Sequence, residues 1–161
     1  MINDFCKFIF SILYISMLSS FGLMIFNSAR GDIFLLHFLI ICWATDSFAY
    51  IVGSNFGKRK LCEKISPKKS VEGFYGGVAG GVLAGSVGYF FLHDKFIIII
   101  LTSLFTSLAC VVGDLFESVL KRKFNIKDTG NIIPGHGGVL DRIDGVLIAL
   151  PIYYLWSKLV L

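Results

Sequence analysis

Phe96 to Gly113 reads FIIIILTSLFTSLACVVG, eighteen residues without a charge. Spanning the ~30 Å hydrocarbon core of a bilayer takes about 20 helical residues, and soluble core helices use shorter apolar runs. Working outward, Phe8–Phe26 gives nineteen uncharged residues and Gly73–Leu92 gives twenty. Ile33–Val52 is apolar except for Asp46 near its end. Gly145–Leu161 is apolar except for Lys158, whose long stem can carry its ammonium to the surface. Pro151 falls inside that last run, where neighbouring helices can satisfy the interrupted backbone. The reading is an all-α, polytopic integral membrane bundle of five transmembrane helices. Composition agrees: 55% hydrophobic, 16% charged, mean hydropathy +0.77, against about a quarter charged for a soluble domain.

Cys6, Cys42, Cys62 and Cys110 lie far apart, without the paired spacing of a zinc site. The first apolar run is longer than the 7–15 residues usual in a signal peptide, and no A-x-A site follows it. A retained anchor is expected.

The net charge of +4 matters less than its placement. Lys58, Arg59, Lys60, Lys64, Lys68 and Lys69 lie between the second and third spans. Lys121, Arg122, Lys123, Lys127 and Arg142 lie between the fourth and fifth. The two short remaining loops carry one basic residue each, Arg30 and Lys95. The positive-inside rule puts both basic loops, and the N-terminus, in the cytoplasm. The expected location is the inner (plasma) membrane, multi-pass, with a cytoplasmic working face. No repeat or low-complexity linker divides the chain, so residues 1–161 read as a single membrane-embedded domain.

Gly73, Gly76, Gly77, Gly80, Gly81, Gly85 and Gly88 crowd the third span, with spacings of four recurring. Glycines at i and i+4 let helix backbones approach closely in lipid. Packing is expected for Gly80 to Gly88. Gly73, Gly76 and Gly77, at the cytoplasmic mouth, are placed to pack and to line a site.

Carboxylates inside a span cost about 2.5–3.5 kcal/mol each on insertion scales and mark function by default. Asp114 ends the fourth span, with Glu117 and Ser118 on its helical face. Asp46 lies within the second, open to two readings: a helix–helix hydrogen bond or salt bridge, or a functional group. From Ser118 the chain reads SVLKRKFNIKDTGNIIPGHGGVLDRID. A basic helix end (Lys121, Arg122) leads to a polar loop (Lys127, Asp128) and then to the turn Pro134-Gly135-His136-Gly137-Gly138. A new helix opens with Asp141, Arg142 and Asp144. Glycine-turn N–H groups before a helix cradle anions, and carboxylates beside them suit a hard divalent cation whose shell substrate phosphates complete. The pattern describes a phosphate–metal site at a membrane surface.

This stretch resembles the signature of the phosphatidate cytidylyltransferases, in outline S-x-x-K-R-x4-K-D-x-G-x5-H-G-G-x-x-D-R-x-D. Ser118, Lys121, Arg122, Lys127, Asp128, Gly130, His136, Gly137, Gly138, Asp141, Arg142 and Asp144 fall on it. Gly57-Lys58, Ser66-Pro67-Lys68-Lys69-Ser70-Val71-Glu72-Gly73 and Gly113-Asp114-Leu115-Phe116-Glu117-Ser118 are similar to the family's upstream segments. The resemblance covers about residues 42–151, including the loops 53–73 and 117–144. It implies transfer of a cytidylyl group from CTP to phosphatidic acid, giving CDP-diacylglycerol and pyrophosphate. It further implies Mg²⁺ held by Asp114 and Asp141, with Asp144 beside them or holding a second cation.

Lys121, Arg122 and Arg142 are expected to grip phosphate oxygens. Lys68 and Lys69, with Ser118, Lys127, His136, Gly137 and Gly138, are expected to bind substrate. The lipid phosphate is already ionised at neutral pH, so His136 is expected to hydrogen-bond or to shape the turn rather than act as a base. Expected partners are CTP, phosphatidic acid and membrane lipid, and no nucleic acid. Family members usually carry further spans ahead of this region. A reduced enzyme, a homodimer that supplies the missing packing, or a fragment would each account for that, and a homodimer is the expectation taken forward. Rival readings are a related CTP-dependent lipid-phosphate transferase, a polyprenol kinase, and a non-catalytic remnant or transport subunit. A transporter would tend to place its ionisable groups near the midplane, often in symmetric halves; here they gather at one interface.

Overall fold

The structure, a computed structural model, describes residues 4–63, 65–123, 126 and 140–160, with side chains described for 12, 14–63, 65–123, 126 and 143–159. Helix α1 (Asp4–Phe26) is followed by α2 (Gly31–Phe56), a hairpin of β1 (Lys60–Cys62) and β2 (Ser66–Ser70), then α3 (Val71–Ser86), the short α4 (Tyr89–Leu92), α5 (Phe96–Lys123) and α6 (Leu140–Val160). Gly31–Phe56, Val71–Leu92 and Phe96–Lys123 are each long and apolar enough to cross a bilayer. Tyr14–Phe26 is a shorter apolar helix, and α6 contains the fifth apolar run. The protein is a helical membrane protein. The hairpin is an addition to the all-helical expectation, and it is formed by the basic 53–73 loop.

The glycines of α3 explain its packing. Gly73, Gly77, Gly80, Gly81 and Gly85 are buried, and α3 makes its most extensive contacts with α2, then α5. A Cβ on Gly77 would lie 2.8 Å from the Ala49 Cβ and from the Thr45 carbonyl oxygen. A Cβ on Gly81 would overlap the hydroxyls of Thr45 and Ser107. Those hydroxyls form a polar seam: Thr45 donates to the Ile41 carbonyl at 2.8 Å and lies 3.1 Å from Ser107 Oγ. Ser103 donates to the Ile99 carbonyl at 2.7 Å. Bonding back to the i−4 carbonyl lets small polar side chains sit in an apolar interface without an orphaned donor.

The third span is one run in sequence but breaks at Val87–Gly88. His37 of α2 occupies that place. Its Nε2 is 2.8 Å from the Gly85 carbonyl, which can only accept, so Nε2 donates. Its Nδ1 pairs with the Tyr153 hydroxyl of α6 at 2.8 Å. One buried imidazole therefore joins α2, α3 and α6. At the same end Arg30, in the left-handed region at φ 60°, donates to the Phe91 and Leu92 carbonyls and caps α4. Phe38, Ile41, Cys110, Leu147 and Tyr153 form the apolar centre of the bundle.

Candidate active site

At the opposite end, the hairpin is fastened to the helices it joins. Ser70 caps α3, its Oγ accepting the Gly73 N–H at 3.1 Å. Glu72 in the first turn accepts the backbone N–H groups of Lys58 (3.0 Å) and Arg59 (3.1 Å), and Arg59 Nε at 3.3 Å. Arg122, at the end of α5, donates from Nε to the Ile65 carbonyl at 3.3 Å. The two basic regions that are separate in sequence therefore meet at one end of the bundle.

Beneath the hairpin lies a cavity of about 540 Å³. Asp46 and Tyr50 of α2, Lys68 and Lys69 of β2, Gly73 of α3, Asp114 of α5 and Asp144 of α6 all line it. The cause of the carboxylates' convergence is a close helix crossing. A Cβ on Gly113 would lie 2.9 Å from Gly145 Cα, and one on Gly145 would lie 2.8 Å from the Cys110 carbonyl oxygen. Two glycines adjoining the two acids thus bring α5 and α6 nearly into backbone contact. Asp114 lies eighteen residues past Phe96, about 27 Å along the helix at ~1.5 Å per residue, near the far edge of a ~30 Å core.

Within the cavity, Lys69 Nζ is ion-paired with Asp114 Oδ2. Asp144 Oδ1 accepts the Gly145 N–H at 2.7 Å. The Cys110 thiol lies 3.8 Å from Asp46 Oδ1, a weak contact for a carboxylate. Lower on α5, buried Glu117 pairs with Lys121 at 2.5 Å, one turn on.

Of the residues expected from the sequence, Asp114, Asp144, Lys68 and Lys69 share the cavity. Lys121 is turned to Glu117, Arg122 reaches the hairpin, and Ser118 is half-buried on α5. Asp141 and Arg142 lie on the first turn of α6, with side chains outside the described residues. Lys127, Asp128, His136, Gly137 and Gly138 also lie outside them. Sequence reasoning left Asp46 undecided; it belongs to the cavity wall. Tyr50, one turn further along α2, lines the same cavity. Glu72 was read as part of a motif, and its hold on the Lys58–Arg59 backbone was not foreseen.

Among the described residues, no three His, Cys, Asp or Glu side chains form a metal cage by themselves. Two or three carboxylates on one cavity wall instead suit Mg²⁺, which prefers hard oxygen donors, keeps several waters and takes one or two carboxylates plus substrate phosphates. The donor set fits such an ion. Cations and carboxylates in one partly sheltered cavity can bind a polyanion and a divalent cation together.

Fold and cavity define a polytopic membrane protein with an acidic–basic pocket at one end of its bundle. The chain belongs to the Cytidylyltransferase family, whose sequence profile matches residues 1–160. It is 41% identical over 145 residues to a phosphatidate cytidylyltransferase of Bacillus subtilis (strain 168), covering 88% of this chain and 54% of that protein. It is 36% identical over 159 residues to the one from Thermotoga maritima, covering 94% and 58%. It is 44% identical over 133 residues to the one from Haemophilus influenzae, covering 77% and 45%. The chain thus spans about half the length of the curated relatives it matches. Its fold is similar to that of an intramembrane enzyme for archaeal membrane lipid biosynthesis, at a TM-score of 0.59 and 19% identity, covering 74% of this chain and 75% of that one.

Proposed function

We propose that this chain carries the cytidylyl-transfer site of a phosphatidate cytidylyltransferase, which joins CTP to phosphatidic acid. The observation that carries the reading is the cavity in which Asp114 and Asp144 lie opposite Lys68 and Lys69, in a chain of the Cytidylyltransferase family. Both reactants are anions, so the first task is to suppress their repulsion and hold them in line. An oxygen of the lipid phosphate bonds to the α-phosphorus of CTP. The bond to the bridging oxygen breaks, and pyrophosphate leaves with the electron pair. The attacking phosphate is ionised, so no general base is required.

Asp114, Asp141 and Asp144 would hold Mg²⁺, or a pair of cations. When bound, the ion supplies charge neutralisation at the phosphates. Lys68 and Lys69 meet phosphate from the hairpin side, and Lys121 and Arg122, which pair with Glu117 and the Ile65 carbonyl in the unliganded protein, would turn to it with Arg142 from the α5–α6 side. Lys127, Ser118, His136, Gly137 and Gly138 contribute hydrogen bonds to the substrates.

The rest of the proposal concerns setting. Residues 1–161 act as one membrane-embedded unit, multi-pass in the inner membrane, with the cavity facing the cytoplasm where CTP resides. Partners are CTP, phosphatidic acid and surrounding lipid, and the chain pairs as a homodimer.

The test is an assay of membranes containing the protein, with CTP, phosphatidic acid and Mg²⁺, scored for CDP-lipid and pyrophosphate. We expect product that disappears with EDTA. A folded protein that gives no CDP-diacylglycerol would instead support a non-catalytic role. Product with polyprenol and CTP, and none with phosphatidic acid, would support the lipid-kinase reading.

A further inference from the structure

Lys69 is the penultimate residue of β2, directly before the Ser70 cap of α3. Strand and cap fix its backbone, while the flexible four-carbon stem leaves its ammonium free to move. That ammonium is ion-paired with Asp114, and the two side chains are 24% and 35% exposed. The Lys69 nitrogen itself is buried, so an ion reaches the pair from the more exposed Asp114 side. Asp46 and Asp144 line the same cavity, so without a counter-ion the carboxylates would repel one another with little screening. Lys69 relieves that repulsion. It also uses the negative charge that any divalent cation at Asp114 must use.

We propose that Lys69 is the resident counter-ion of this carboxylate site. It neutralises Asp114 in the unliganded protein and gives way to an incoming divalent cation. It then offers its ammonium to the phosphate that accompanies the cation. The inference rests on the phosphate–metal reading of the cavity and adds an order to it. Metal alone is opposed by the ion pair, whereas metal arriving with phosphate gives the released ammonium a new anionic partner. Metal and nucleotide binding are coupled through one side chain, and the coupling is reciprocal.

The experiment measures Mn²⁺ binding to the full chain in nanodiscs by electron paramagnetic resonance, with and without CTP. Lys69→Met keeps most of the side chain's bulk and removes its charge. We expect it to bind Mn²⁺ about tenfold more tightly without nucleotide, the factor that ~1.4 kcal/mol corresponds to. It should also lose most of the tightening that CTP produces in the unsubstituted protein. Asp114→Asn should weaken Mn²⁺ binding in either background. Equal or weaker Mn²⁺ binding by Lys69→Met overturns the inference while leaving the metal reading intact. Absence of Mn²⁺ binding in every variant, even with CTP, overturns both.

A second measurement needs no substitution. Labelling of Lys69 by an amine reagent, read by mass spectrometry, should rise with Mg²⁺ alone and fall again when CTP is added. Labelling that Mg²⁺ alone leaves unchanged or lowers is incompatible with displacement.

Discussion

Asp114 and Asp144 are separated by thirty residues of chain and brought to one cavity by the Gly113–Gly145 crossing. Their chemistry depends on charge more than shape, which makes asparagine the informative substitution. Asp114→Asn and Asp144→Asn are each expected to lower CDP-lipid formation at least ~100-fold, the usual scale for losing one strong electrostatic contact to a transition state. The melting temperature should stay near that of the parent. Combining the two should add little, because groups that act as a unit are not additive. Near-normal turnover by either single variant at ordinary Mg²⁺ concentrations would remove these acids from the reaction. Asp114 was legible as a candidate because it ends an uncharged run and is followed by a basic, glycine-rich signature. Asp46 was not, because a lone acid within a span has the same sequence appearance whether it bonds a neighbouring helix or lines a cavity. Its weak described contact with Cys110 and its place on the cavity wall favour the second.

At the scale of elements, α3 was the most readable. Its four-residue glycine spacing announced close packing, and Gly77, Gly81 and Gly85 are buried against α2 and α5. Gly81→Leu would force a branched side chain onto the Thr45 and Ser107 hydroxyls. Overpacking of this kind typically destabilises by about 1–3 kcal/mol. We expect a lower melting temperature in detergent and reduced activity, whereas Leu83→Ala, at a position 67% exposed, should change neither. Full stability and activity in Gly81→Leu would refute the packing account. The hairpin was hidden for a physical reason. Lys60–Cys62 and Ser66–Ser70 are short and include Pro67, so their pairing shows no alternating apolar pattern. Glu72 and the Arg122–Ile65 contact hold the segment in place, and both are interactions between residues distant in sequence.

For the molecule as a whole, the two basic regions meet at one end, so the positive-inside rule assigns both to the same side. In a Cys6→Ser background Cys62, half-buried in the hairpin, is the accessible thiol, since Cys42 and Cys110 are buried. A membrane-impermeant maleimide should miss Cys62 in intact cells and label it after permeabilisation. Labelling from outside would invert the topology and separate the cavity from cytoplasmic CTP. The sequence by itself determined the membrane class, the apolar helices, the common side of the two basic loops and the signature that implies the chemistry. These depend on run length, local charge and fixed spacing, which are properties of neighbouring residues. Only the tertiary structure decided that α5 and α6 cross at Gly113 and Gly145, that Asp46 joins Asp114 and Asp144, that His37 bolts three helices together, and that Lys69 holds Asp114. Each of these depends on which faces of separate helices meet, and helix faces in lipid are chosen by close backbone contact and polar pairing rather than by hydrophobicity, which is nearly uniform along every span.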